Sequence, residues 1–351
     1  MKKLLSVATA AVYPEQLSDT AHLRFPRVDY IELGRLLDVE TLDYSAYNRH
    51  FAGGFLRWLE THLHSDVYLA TLSWGKSLSR PLVFAWSERA GIPLAGYKRL
   101  TRSQGRFVSM FQCWSAKQEL AITTFGLFNP MDTIIVHCRS MREKMTHLGA
   151  PRERIRLIHY SIDQKFFAPR PDISPRRDIA MSIGEPRSRD YASLFEAVKG
   201  LPLTLEVAGF GHWYAREKDS SVGVSIPENV TMLKHLSQSE LRDQYASSQF
   251  VAIPVHDLVY SAGATASMEA GSMGRAVIAF HSRGISDYII DGETGILVES
   301  GNIQAMREAI QSLLANPKEA KRLGDNARQR ILEELNLETY VKNIAAVLKQ
   351  E

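Results

Sequence analysis

The sequence has few cysteines and no long hydrophobic run. Of its 351 residues only Cys113 and Cys138 are cysteines, and their spacing is neither that of a CxxC motif nor that of a metal site. Two distant thiols exclude a disulfide-based scaffold and favour a reducing, cytoplasmic location. No run of about 18 apolar residues occurs, so we expect no transmembrane helix. Residues 1–16 could be a short signal peptide, but we expect them to form a first buried strand.

The sequence also lacks an excess of charge of one sign. It has 42 lysines and arginines against 39 aspartates and glutamates, which is too balanced for a protein that wraps nucleic acid by charge alone. We therefore expect no nucleic-acid partner. The HExxH, Gly-x-Ser-x-Gly, Walker and Asp-x-Asp patterns are absent as well. We accordingly expect no bound metal and no cofactor.

The sequence does contain a regular alternation of short β-rich runs and helical patterns, with DTIIVHC and SMREKMTHLG as one pair. This alternation predicts βαβ units and parallel sheets covered on both faces. Prolines at 169, 171 and 175 interrupt it, after which it restarts. We therefore predict an α/β fold of two Rossmann-like doubly wound domains, residues 1–168 and 169–336, facing each other across a cleft.

One loop and helix in the second half form a candidate binding site. The apolar run FVAIPV ends at Val255, a polar loop HDLVYSAG follows, and a helix of small residues begins around Ala264. The free amides and the dipole of such a helix start bind anions, above all phosphate. Glu269 lies one turn past Thr265, where its carboxylate can accept hydrogen bonds from sugar hydroxyls. The alternative is a solvated helix glutamate.

Residues 266–310, ASMEAGSMGRAVIAFHSRGISDYIIDGETGILVESGNIQAMREAI, resemble the C-terminal signature of retaining GT-B glycosyltransferases of the family-4 kind (glycosyl transferases group 1). In that family two glutamates flank seven residues, the first contacting the donor sugar and the second the nucleotide ribose. Glu269 matches the second glutamate, whereas Ser261 stands at the first position. The resemblance implies a donor site that includes Ser261, Gly263, Ala264, Thr265 and Glu269.

The segment SIGEPRSRDYASLFEAV resembles the family's glycine, arginine and lysine, which clamp the donor diphosphate. Gly184 matches the glycine, Arg189 stands for the lysine and Arg187 for the arginine. An arginine fork can bind phosphate with two hydrogen bonds, so the change from lysine keeps the chemistry. By the same resemblance the nucleotide base lies near His235 and Leu236. Exposed loop arginines and a structural histidine are the alternatives.

The first half resembles the family less. The glycine pair that often follows the family's first strand is absent, and Gln112 and Cys113 stand where an active-site histidine often falls. These two residues and Glu88 are acceptor-side candidates, although Glu88 could also be a surface helix carboxylate. A basic stretch could meet a phosphorylated acceptor, or an anionic lipid head group in a peripheral contact with the inner membrane face; the alternative is a solvated face. Its cations are Lys98, Arg99, Arg102 and Arg106.

The resemblance implies a hexosyltransferase-like glycosyltransferase that retains the anomeric configuration, and the absence of an Asp-x-Asp pair predicts that it works without a metal. Residues 1–168 would bind an unidentified acceptor (a glycan, a lipid or a small molecule), with the C-terminal helix 337–351 returning to them. Residues 169–336 would bind a nucleoside diphosphate sugar. Arg187, Arg189 and the helix-start amides would stabilise the departing diphosphate, with Glu269 on the ribose.

Two other functions stay open at this point. One is a catalytically degenerate GT-B protein that binds a nucleotide sugar or a protein partner, which Ser261 and the missing histidine motivate. The other, a sugar-nucleotide epimerase or a phosphorylase on the same architecture, rests on fold analogy alone.

Overall fold

The computed structural model describes residues 4–11, 18–20, 23–45, 60, 62, 64–113, 115–208, 225–234 and 236–350. The chain divides into two compact units. The first unit comprises Met1–Ser18, Arg27–His159 and Glu338–Glu351, and the second comprises Asp19–Pro26 and Tyr160–Leu337. Each unit is built on one six-stranded sheet in which every described strand pair is parallel.

The sheet of the first unit has the strand order β2-β1-β3-β4-β5-β6. Its strands are β1 Leu4–Val7, β2 Val39–Leu42, β3 Leu82–Ala85, β4 Arg106–Phe111, β5 Thr133–Val136 and β6 Ile155–Leu157. The helices described between them are α1 Asp29–Leu36, α2 Val67–Ser77, α3 Glu88–Thr101, α4 Ala116–Thr124 and α5 Arg139–His147.

The sheet of the second unit has the order β12-β11-β10-β7-β8-β9. Its strands are β7 Ile179–Ile183, β8 Thr204–Ala208, β9 Val230–Met232, β10 Phe250–Ile253, β11 Ala276–Phe280 and β12 Ile296–Val298. Its helices are α6 Tyr191–Val198, α7 Gln238–Ser247, α8 Ala264–Ser272, α9 Ile303–Ala315 and α10 Pro317–Glu333, and α11 Leu337–Lys349 follows. This order is that of a Rossmann sheet, with the reversal of strand order between β7 and β10.

The central strands explain why the sequence alternates as it does. β10 (FVAI) and β11 (AVIAF) are buried along their whole length, with Phe250 opposite Ala276 in the register. Strands covered by helices on both faces read as continuous apolar runs, and the chain must cross over through a helix to add the next parallel strand. The predicted doubly wound α/β fold is therefore confirmed for both units.

Local signals place several helix ends. Ser237 begins α7 with a capping box, because its hydroxyl accepts from the Glu240 amide while the Glu240 side chain accepts from the Ser237 amide. Pro317 occupies the first turn of α10 behind the N-cap Asn316.

In the first unit, Arg106 of β4 donates to backbone carbonyls at the end of α11. These bonds fix the last helix to the first sheet.

Candidate functional site

Two loops meet where the strand order of the second sheet reverses. The loop after β7 and the loop after β10 pair through their main chains, with an antiparallel bridge between Arg189 and Val255. The Asp190 amide donates to the Pro254 carbonyl at 2.6 Å, and the His256 amide donates to the Ser188 carbonyl at 3.2 Å. Ligands of open α/β sheets bind at this carboxyl edge, at the reversal point.

The guanidinium of Arg189 lies in this paired region and is 7% exposed. It donates from Nε to the Ile183 carbonyl at 3.0 Å and from Nη1 to the Ser188 hydroxyl at 3.0 Å. Among the described residues no carboxylate forms an ion pair with it. Burial lowers the pKa of the Arg189 guanidinium, because the charged form is removed from water. A bound anion at this place would neutralise the positive charge of the Arg189 guanidinium.

Gly184 makes room for that guanidinium. Its φ is +137°, and a Cβ added there would lie 2.4 Å from both Nε and Nη2 of Arg189. The Tyr191 hydroxyl donates to the Gly184 carbonyl at 3.0 Å, which anchors the turn to α6. A side chain at position 184 would therefore displace the cation from its place.

The start of α8 provides the second half of the site. Gly263, at φ +84°, is its N-cap, and a Cβ there would lie 2.7 Å from Val255 Cγ1. The amide of Ala264 donates to the Ser261 carbonyl at 3.1 Å. The amides of Thr265 and Ala266 donate to no acceptor in the described part of the chain. These amides are therefore available to an anion at the positive end of the helix dipole.

Glu269 lies one turn further along α8 and is partly buried. Its Oε2 accepts a hydrogen bond from the hydroxyl of Tyr245 at 2.8 Å. Burial raises the pKa of the Glu269 carboxyl to about 7, although the bond from Tyr245 acts in the opposite direction. No local sequence pattern points to Tyr245 as a site residue, because it lies on α7, 24 positions before Glu269 on α8.

The other donor-side candidates have different positions. Arg187 is exposed in the short 3₁₀ turn Pro186–Ser188, next to Arg189. Ser261 is partly buried in the loop before α8, and Leu236 packs against the core of the second unit. His235 lies outside the described residues.

A charged pair connects the loops after β10 and β11. Asp257 accepts hydrogen bonds from the Arg283 amide at 3.0 Å and from its Nε at 3.3 Å. Gly284, the next residue, approaches so closely that a Cβ there would lie 3.0 Å from the Ser261 Cα. The loops after β10 and β11 are thus packed together, and both are at the carboxyl edge of the sheet.

The three acceptor-side candidates meet at the carboxyl edge of the first sheet. Glu88 begins α3 after β3, and its Oε2 accepts from the Gln112 amide, after β4, at 2.9 Å. The Gln112 side chain donates to the Trp86 carbonyl at 3.3 Å, and Cys113 beside it is exposed. Glu88 is 2% exposed, so it is not a surface carboxylate, and burial raises its pKa to about 7.

The basic stretch is only partly a free surface. Lys98 pairs with Asp132 at 2.7 Å, and Arg106 bonds to carbonyls of α11. Arg99 and Arg102 are exposed. In the described part of the chain no helix has the length and hydropathy to span a bilayer. Nor do three or more histidine, cysteine, aspartate or glutamate side chains among these residues converge as metal ligands would.

Comparison with known proteins finds a family model that matches most of the second unit. The family model described as "Glycosyl transferases group 1" matches residues 171–330. The chain is 23% identical to MMP alpha-(1->4)-mannosyltransferase of Mycolicibacterium hassiacum over 226 residues, which cover 62% of this chain and 54% of the relative. It is also 23% identical to the GDP-mannose-dependent alpha-(1-6)-phosphatidylinositol monomannoside mannosyltransferase of Mycolicibacterium smegmatis, over 63% of each chain. The matches therefore span less than two thirds of either relative.

A solved structure shares the fold of the whole chain. The Anabaena HepE protein, whose crystal structure contains UDP and glucose, aligns over 100% of both chains with a TM-score of 0.71 and 14% identity. At this identity the likeness concerns architecture. It confirms the predicted GT-B fold.

Proposed function

Because residues 171–330 belong to the glycosyl transferases group 1 family, we propose that this chain transfers a sugar from a nucleoside diphosphate sugar with retention of anomeric configuration. The observation that carries the proposal is the surroundings of Arg189. This buried cation pairs with no carboxylate of the described residues, and its loop is bonded to the loop that leads to the start of α8. A cation and free amides together suit a diphosphate.

Each donor-side residue has a specific part in this proposal. The guanidinium of Arg189, seated on Gly184, binds one phosphate, and the amides of Thr265 and Ala266 bind the other. Glu269 accepts hydrogen bonds from the ribose hydroxyls. The base is left open, because HepE was solved with UDP and glucose whereas the relative from M. smegmatis is named GDP-mannose-dependent.

Catalysis in this proposal is electrostatic. As the anomeric bond loosens, negative charge develops on the phosphate that leaves, and Arg189 with the amides of α8 stabilises it in place. Arg187, in the adjoining turn, supplies a second cation. Loss of one such contact costs about 2.7 to 4 kcal/mol of barrier, or about 10² to 10³ in rate. The proposal assigns this charge stabilisation to the protein's own groups, without a metal or a cofactor.

The acceptor, in this proposal, is recognised by the first unit. Glu88, Gln112 and Cys113 come together at the carboxyl edge of its sheet, where the strand order reverses between β1 and β3. With a pKa near 7, Glu88 can accept a hydrogen bond or a proton from an acceptor hydroxyl at neutral pH.

Calorimetric titration with UDP, GDP and ADP, followed by NMR of the matching sugar conjugates, tests the proposal. We expect one nucleotide to bind and its sugar conjugate to be hydrolysed slowly, with the released sugar first seen in the donor's own anomeric form. Arg189→Met should lower this rate by about 10² to 10³. Arg322→Met, which removes a surface arginine of the same unit paired with Glu319, should not. If no nucleotide binds, the proposal is wrong.

Ser261 favours one alternative, a GT-B protein that binds a nucleotide sugar without transferring it. Serine offers no carboxylate to the donor sugar at that position, although the same loop also holds Asp257, which pairs with Arg283. Nucleotide binding without turnover of any sugar conjugate would support this alternative. An inverted product would contradict retention and leave the transferase assignment in place.

A further inference from the structure

We propose that Tyr245 is a positioning residue for Glu269: its hydroxyl holds one carboxylate oxygen so that the other faces the ribose of the donor. The inference rests on the proposed function and goes beyond it, because it makes Tyr245 a determinant of ribose recognition. Tyr245 itself would touch neither the sugar nor the diphosphate. It would act through the carboxylate to which it donates.

The geometry of Tyr245 suits this role. The residue lies in the last turn of α7 and is completely buried. Its ring packs edge-on against Phe167, with 6.2 Å between the ring centroids. Ser248 anchors the end of the helix through a hydrogen bond from its hydroxyl to the Gln244 carbonyl at 2.8 Å. The hydroxyl of Tyr245 therefore reaches the carboxylate from a fixed direction.

Only one of the two oxygens of the Glu269 carboxylate accepts a hydrogen bond from the described residues. Oε2 receives the bond from Tyr245 at 2.8 Å, and Oε1 receives none from the described residues. Glu269 is partly exposed, whereas Tyr245 is not. An ionised carboxylate can accept about four hydrogen bonds, so one fixed oxygen leaves capacity for both ribose hydroxyls.

Among the groups around Glu269, Tyr245 is the one that affects the charge of the Glu269 carboxyl most directly. β10 (FVAI) and β11 (AVIAF), against which α8 packs, contribute apolar side chains only. From α10, Arg328 donates to the Ser272 carbonyl at the far end of α8. Arg189 and Tyr191 act electrostatically on Tyr245. Burial raises the pKa of the Glu269 carboxyl to about 7, and the bond from Tyr245 lowers it.

The pKa of the Glu269 carboxyl determines the direction in which ribose recognition depends on pH. Ribose hydroxyls donate best to the ionised carboxylate, so ribose recognition should be present above the pKa of Glu269 and lost as the pH falls through about 7. Removal of the Tyr245 hydroxyl removes a stabilising donor from the ionised form. The midpoint of ribose recognition should then move to higher pH.

The test compares Tyr245→Phe with the wild type, because phenylalanine keeps the buried ring. Dissociation constants are measured by calorimetry between pH 5.5 and 9 for the nucleoside diphosphate that binds and for its 2′,3′-dideoxy analogue. The wild type should prefer the ribose form by roughly 10- to 100-fold, since hydrogen bonds to a charged group contribute about 1.5 to 3 kcal/mol. Tyr245→Phe should reduce this preference at least about threefold at pH 7 and raise its midpoint by roughly half a pH unit to one unit.

Two controls separate positioning from packing. Tyr288→Phe removes another buried hydroxyl of the same unit, which accepts from the Tyr160 amide at 2.8 Å; it should leave both the preference and the midpoint unchanged. If Tyr245→Phe does not fold, 3-fluorotyrosine at position 245 keeps the ring and makes the hydroxyl a stronger donor. It should lower the midpoint.

The outcomes separate a failure of the role of Tyr245 from a failure of the proposed function. If the wild type prefers ribose but Tyr245→Phe or the fluorinated variant keeps the wild-type preference and midpoint, Tyr245 is a packing residue and only the inference is wrong. If the wild type binds no nucleoside diphosphate, the proposed function is wrong and the inference with it. A loss of binding to both nucleotides alike would also overturn the inference, because it would place the defect outside the ribose.

Discussion

Substitution of Gly184 by alanine tests the cation site directly. The added Cβ would lie 2.4 Å from Nε and Nη2 of Arg189 and would occupy a backbone with φ +137°. The end of an arginine side chain can move, so we expect the guanidinium to leave its place and the bond from Nε to the Ile183 carbonyl to break. Gly184→Ala should therefore lose nucleotide affinity even where the protein still folds.

The expected loss in the free energy of unfolding of Gly184→Ala has two parts. Backbone strain at a position that favours glycine costs on the order of 1 to 3 kcal/mol. A lost hydrogen bond from a charged donor adds about 1.5 to 3 kcal/mol, and water can offset part of it if the guanidinium reaches the surface. We expect unfolding in urea to show a loss of roughly 2 to 4 kcal/mol.

Gly200→Ala is the matched control for this change. Gly200 also has a positive φ, +70°, in the same unit, but a Cβ there would meet nothing within 4 Å. Gly200→Ala should lower the free energy of unfolding by on the order of 1 to 2 kcal/mol and leave nucleotide binding unchanged. Calorimetry with the bound nucleotide then isolates the displacement of Arg189, for which we expect at least about a tenfold loss of affinity. Equal affinities of the two variants would refute the assignment of Arg189 as a phosphate ligand.

Three further changes probe other residues of the two units. Glu88→Gln mimics the protonated acid: the folded pKa of about 7 lies above the ordinary 4.5, so the wild type loses stability as the pH rises from about 4.5 through 7. The variant should match the wild type at pH 4 and exceed it by about 1 to 3 kcal/mol at pH 8.5 in urea unfolding. Glu269→Gln should abolish the pH dependence of ribose preference around pH 7, read by titration with ribo- and dideoxynucleotides. Ser261→Glu should change sugar-conjugate turnover while leaving affinity for the free nucleoside diphosphate within about threefold, measured by NMR and calorimetry.

Each of these expectations can fail in a specific way. A stability difference for Glu88→Gln that does not change with pH would show that Glu88 does not titrate near neutrality. A persistent pH dependence in Glu269→Gln would assign the titration to another group. If Ser261→Glu weakened the free nucleotide strongly, position 261 would face the diphosphate rather than the sugar.

Much of the fold was predictable because its signals are local. The buried runs of β10 and β11 are continuous apolar segments, and Pro317 marks the start of α10 from its own residue type. Helices and strands follow from periodicities of a few residues, which any window of sequence contains. The order of the strands does not, since it depends on pairings between segments far apart in the chain.

The site was predictable only in part, for the same reason. The helix of Glu269 and the turn of Gly184 could be found by resemblance, but the burial of Arg189 depends on the pairing of its loop with Val255. Tyr245 and Glu269 meet because α7 and α8 pack on one sheet, and 24 positions separate them. Glu88 could be a surface carboxylate on the sequence alone, and its burial against β4 became visible only in three dimensions.

The main-chain pairing between the loops after β7 and β10 has a consequence for how this site can evolve. Two main-chain bonds hold the loops together and form the Arg189–Val255 bridge: the Asp190 amide donates to the Pro254 carbonyl, and the His256 amide donates to the Ser188 carbonyl. Main-chain bonds do not depend on side-chain identity. The pairing of the loops can therefore tolerate side-chain changes at residues 256–260, whereas Gly184 and Gly263, and Arg187 and Ser188 beside Arg189, cannot change without affecting the anion site. Mutations in these loops could change which sugar donor binds, while the residues that bind the phosphates stay the same.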